Sequence, residues 1–92
     1  MDITPEEQKL YLGKYEFGKG ADEYFDISLN SRELLYLSRG EYIGRVLNRV
    51  DTHSFAPSGA PSVRIKFDVA DDVVQSFTIH DPNPVLKALR VG

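Results

Sequence analysis

Along most of its length this chain alternates apolar and polar residues in short runs, each closed by a turn signal. A period of two is the period of an extended strand, whose successive side chains point to opposite faces. Residues 63–69 are the cleanest case: Val63, Ile65, Phe67 and Val69 form one apolar face that must meet a core. In residues 12–17, Gly13, Tyr15 and Phe17 share a face against Lys14 and Glu16. Residues 24–29 set Phe25, Ile27 and Leu29 opposite Asp26 and Ser28, and residues 73–80 gather Val73, Phe77 and Ile79. Residues 33–37 are apolar on both faces, the pattern of a strand covered on two sides or of a central one. Residues 42–50, a short segment at 53–56 carrying Phe55, and residues 86–91 complete the set.

The links are short. Gly18-Lys19-Gly20 with Ala21 and Asp22, Asn30-Ser31-Arg32, Arg39-Gly40-Glu41, Asp51-Thr52 and Ala70-Asp71-Asp72 all read as turns. Pro57-Ser58-Gly59-Ala60-Pro61 is a looser loop, and Asp81-Pro82-Asn83-Pro84 is a firm break because proline cannot donate to a ladder. One helix start stands out. Thr4 suits the N-cap, Pro5 the first helical position, and Glu7 the far corner of a capping box. Gly13 and the alternation after it confine that helix to one or two turns, from Glu6 to about Leu10 or Tyr11. No helix is long enough to carry a parallel crossover. The expectation is therefore all-β: about eight antiparallel strands in a meander, curled into a barrel or a sandwich.

At 92 residues the chain is expected to be one domain, residues 1–92, since halves of that size could not bury a core. It has no cysteine, which excludes disulfides, thiolate nucleophiles and cysteine zinc ribbons. A net charge of −3 argues against a nucleic-acid binder held by phosphate contacts. Arg32, Arg39, Arg45 and Arg49 nevertheless fall in one stretch, and the alternative is a small OB-like barrel binding RNA or single-stranded DNA through that region with Tyr36 and Tyr42. A solvated face carrying arginines is the preferred reading. No run approaches the roughly 20 apolar residues that cross a membrane, so no membrane partner is expected. The opening MDITPEEQKL lacks a signal peptide's basic and apolar regions, which points to the cytoplasm for a complete chain and leaves the periplasm open for a fragment.

Catalytic signatures are missing. The two histidines, His53 and His80, stand in no metal-ligand spacing, and His80-Asp81 reads as strand-end hydrogen bonding. Asp22-Glu23-Asp26 and Asp68-Asp71-Asp72 lack calcium-loop spacing. No serine sits in G-x-S-x-G and no S-x-x-K occurs, so Ser54 or Ser58 with His80 and Asp81 match a triad by residue type alone. No enzyme activity, metal or cofactor is expected. Phe17, Phe25, Phe67 and Phe77 lie on apolar faces, so a filled or nearly filled interior is expected. A shallow pocket for a small apolar ligand at one mouth would draw on Tyr15, Tyr24, Tyr36, Tyr42 and Arg45.

The order of residues also carries a resemblance. Leu10-Tyr11-Leu12-Gly13-Lys14-Tyr15 resembles the opening of a domain often appended C-terminally to serine hydrolases of the class C β-lactamase and penicillin-binding type. The strand-turn piece at 33–37, the stretch from Leu47 to Phe55, the strand at 63–67 and the closing Ala88-Leu89-Arg90-Val91 continue it, over nearly the whole chain. The resemblance implies an up-and-down, lipocalin-like barrel acting as a non-catalytic accessory domain. It implies a serine hydrolase domain as partner, in a longer chain or another protein. The family's catalytic residues belong to that other domain, so none is carried over.

Overall fold

The structure, a computed structural model, describes residues 2–39 and 42–91, with the side chains of residues 42 and 43 outside the description. The turn expected at Gly40-Glu41 also lies outside the described residues. Helix α1, Pro5–Tyr11, starts where the capping box places it: the Thr4 hydroxyl accepts the Glu7 N–H at 3.2 Å, and the Glu7 carboxylate accepts the Thr4 N–H at 3.1 Å. Seven residues are too few for a helix to persist in water, so α1 depends on the barrel beneath it.

Eight strands follow: β1 Gly13–Glu16, β2 Tyr24–Leu29, β3 Leu35–Arg39, β4 Tyr42–Asp51, β5 Ser54–Pro57, β6 Arg64–Ala70, β7 Val73–His80 and β8 Pro84–Arg90. Each pairs antiparallel with the next, and β8 returns to β1, so the sheet closes into an up-and-down barrel. Of the two architectures the alternation allows, the barrel is the one formed. Closure removes the free edges that an open sheet would expose. The seam is short, with Tyr15 opposite Arg90 and Glu16 opposite Leu89.

The interior is a continuous stack of rings. Tyr11 lies 4.7 Å from Phe67 and 5.1 Å from Phe55, Tyr15 lies 5.0 Å from Phe77, and Phe77 lies 5.4 Å from Phe67 and 5.7 Å from Phe25. Tilted and edge-on pairs at such spacings add to the burial itself. Tyr15 and Tyr11 bring hydroxyls into this core and both are answered: Tyr15 donates to the Tyr11 carbonyl at 2.8 Å, and the Tyr11 hydroxyl sits 2.7 Å from His53 Nδ1 and 3.3 Å from the Thr52 carbonyl.

Three local expectations shift. Residues 33 and 34 are not in a strand covered on two sides: Leu34 is exposed, and β3 begins at Leu35. Glu33 holds a φ of 60°, and the Asn30 side chain accepts the Arg32 and Leu34 N–H groups, which prolongs the turn. Val73 points to solvent and Val74 is buried in its place, because a bulge between Asp68 and Val69 shifts the register there. Pro84 opens β8 opposite His80, as the first residue of a strand, where a missing N–H is tolerated.

Candidate functional site

Strand direction puts the start of β1, the β2–β3 turn and the β4–β5 turn at one end of the barrel, and α1 lies across that end. Beside the helix runs a groove of about 830 Å³. Its walls are the N-terminal segment and first face of α1 (Asp2, Ile3, Pro5, Gln8, Lys9), the β2–β3 turn (Leu29, Arg32, Glu33, Leu34) and the outer half of β4 (Val46 to Arg49). The apolar lining is only partly covered: Leu29 is 39% and Leu34 42% exposed. Charges of both signs stand around it, and neither the Lys9 ammonium nor the Arg32 guanidinium has a hydrogen bond or ion pair among the described residues.

Polar contacts hold α1 in this position. Arg49, whose side chain is 9% exposed, reaches the Glu7 carboxylate at 2.7 Å, the Asp2 carbonyl at 3.3 Å and the Thr52 carbonyl at 2.8 Å. The buried Gln8 donates through Nε2 to the Glu33 carbonyl at 2.9 Å, tying helix to turn. The Thr4 N–H, and then the Arg49 guanidinium, hold the Glu7 carboxyl below its ordinary value. Burial raises the hydroxyl of Tyr11 and pushes that of Tyr15 up to about 12.

The structure does not bring the anticipated mouth residues together. Tyr15 is fully buried in the ring stack. Tyr24 faces outward, in phase with Glu16, with the Lys14 ammonium 4.3 Å from its ring centroid. Tyr36 also faces outward and accepts the Gly44 N–H at 2.9 Å. Arg45 donates to the Ser58 carbonyl at 3.0 Å, beyond the end of β5. The Tyr42 side chain lies outside the described residues.

Nor do the four arginines share a surface. Arg32 and Arg49 sit at the α1 end, where Arg49 turns inward to Glu7. Arg39 is near the far end, over the Phe17 ring at 4.9 Å and bonded to the Asp22 carbonyl, and Arg45 is engaged by Ser58. His53 belongs to the α1 end, bonded to Tyr11, whereas His80 closes β7 at the other. No cluster of three metal-ligating side chains occurs among the described residues. Ser54 and Ser58 make no hydrogen bond to His80 or Asp81 among the described residues; the Ser58 hydroxyl accepts from Asn48 at 3.4 Å.

Sequence reasoning missed Gln8, Leu29, Leu34 and Arg49 as neighbours. A signal for Arg49 existed: it is in phase with Leu47, which makes it a cation on an inward face at a barrel end. Nothing in the sequence announced the groove itself, which arises where three separate elements meet. No protein-family model, curated protein or solved structure matches this chain.

Proposed function

We propose that this domain is a non-catalytic binding module that contacts a partner domain through the groove beside α1. The observation that carries the reading is where the space lies. The barrel interior is occupied by packed rings, with Tyr15, Phe55 and Phe77 wholly buried, so recognition falls to the outside. The groove offers exposed leucines with charged groups beside them, the composition of a protein contact surface. The resemblance to accessory domains of serine hydrolases makes a penicillin-binding-type catalytic domain the partner of choice. No observation favours the nucleic-acid alternative, since the arginines it needs are dispersed.

The test is a nuclear magnetic resonance titration of the isotope-labelled chain with a purified class C β-lactamase-type catalytic domain, and separately with a collection of small apolar fragments. The expected result is shifts at Ile3, Lys9, Leu29, Arg32, Leu34 and Asn48 on adding the domain, abolished by Leu34→Asp. Shifts with fragments alone, or shifts centred away from the groove, would overturn it.

A further inference from the structure

The two oxygens of the Glu7 carboxylate do different jobs. Oε1 accepts the Thr4 N–H and closes the capping box, while Oε2 takes Nη1 of Arg49 on β4. One ionised group therefore both starts the helix and ties it to the barrel. The segment it secures, Asp2, Ile3 and Pro5, supplies part of one groove wall, next to Gln8, which is held by its own bond to the Glu33 carbonyl. We propose that Glu7 is an acid-sensitive latch on the groove, whose protonation releases the first turn of α1 and opens that part of the wall. The inference concerns regulation of the groove, and its relevance to binding rests on the function proposed above.

A protonated carboxyl keeps one carbonyl-type acceptor but loses the charge that strengthens both bonds, so cap and tie weaken together. A seven-residue helix has no stability of its own to hold the turn in place once they do. The second half of the helix is secured differently, by Tyr11 inside the ring stack, so the release stops short of the core. Arg49 on β4 faces Glu7; Asp2, Glu6 and Lys9 lie on its own segment, Glu33 on the β2–β3 turn lines the same groove, and His53 meets Tyr11 one turn further on. Of these, only Arg49 bonds the Glu7 side chain.

The sign follows from the depressed carboxyl. The stabilisation is fully present above the ordinary value near 4.5 and is lost as pH falls through the lower value of the folded state. The experiment follows backbone amides of the full chain from pH 7 to pH 3, in wild type and in Glu7→Gln, with no ligand added. Amides of Ile3, Thr4 and Glu6 to Lys9 should move together in wild type with a midpoint below 4.5, while those of Phe67 and Phe77 hold still. Glu7→Gln at pH 7 should already show the acid-form positions, with faster hydrogen exchange at Gln8. Thr4→Ala, which removes the hydroxyl cap, and Arg49→Met, which removes the tie, should each reproduce part of the change. An unaltered first turn in Glu7→Gln, an acid transition that persists in that variant, or changes spread evenly over the barrel would overturn the latch. Because no partner enters, failure of the binding reading would show separately, as an absence of groove shifts on titration.

Discussion

Gly44 on β4 donates its N–H to the Tyr36 hydroxyl at 2.9 Å and approaches that ring closely: a Cβ added to Gly44 would fall 2.6 Å from Tyr36 Cε2 and collide with the Leu37 carbonyl oxygen. The glycine is there for space. Its backbone takes no left-handed conformation, so the close approach of β3 is the whole reason. Gly44→Ala cannot be relieved by moving a flexible side-chain tip, because the obstacle on one side is backbone. We expect a loss of about 3 kcal/mol in urea unfolding, the upper part of the range for overpacking. A loss below about 1 kcal/mol would mean that β3 and β4 can separate locally and that the contact is soft.

Phe77 is the hub of the ring stack, completely buried and within stacking range of Tyr15, Phe25 and Phe67. Those neighbours come from three different strands, so they cannot collapse together into the space it leaves. Phe77→Ala should therefore cost about 3–5 kcal/mol by chemical denaturation, with the dependence on denaturant unchanged. A cost under about 2 kcal/mol would indicate an interior that repacks easily, and a small apolar ligand inside the barrel would become the better account of function.

How much of this was legible in advance depends on whether a signal is local. Strands β2 and β7 end where the alternation and turn residues place them, and the capping box fixed α1. The alternation even held the answer for the proposed ligand tyrosines. Tyr15 shares the phase of Gly13 and Phe17 and so goes inward, while Tyr24 is out of phase with Phe25 and goes outward. What the pattern could not reveal are departures from strict period two. The bulge that exchanges Val73 for Val74 is a property of the pairing between β6 and β7, not of either run. The exposure of Leu34 follows from the turn that Asn30 organises. The groove depends on where α1 lands, and that is decided by Gln8, Glu7 and Tyr11 meeting partners 25 to 42 residues away.

Ser76 presents the opposite situation to the buried tyrosines. It is 2% exposed, and its hydroxyl has no hydrogen-bond partner among the described residues. A hydroxyl removed from water without compensation is a net cost. Ser76→Ala should accordingly stabilise the protein by about 1 kcal/mol, read as a higher urea midpoint. A lower midpoint would show that the hydroxyl does useful bonding in solution.

The alkaline limb of stability should be governed from the core. Burial raises the Tyr15 hydroxyl from an ordinary value near 10 to about 12, and it raises Tyr11 in the same direction. Below pH 10 folded and unfolded chains both keep the Tyr15 proton. Between 10 and 12 the unfolded chain gives it up while the native state retains it, so stability falls as pH rises through that window. Tyr15→Phe has no proton to lose. At neutral pH it should be less stable by about 1 kcal/mol, because the Tyr11 carbonyl loses its donor. Its stability should then decline less steeply with pH, so that the gap to wild type narrows or reverses by pH 12. Urea unfolding of both proteins at pH 7, 10 and 12 checks this, and parallel curves would place the alkaline sensitivity on surface groups instead of on the buried phenol.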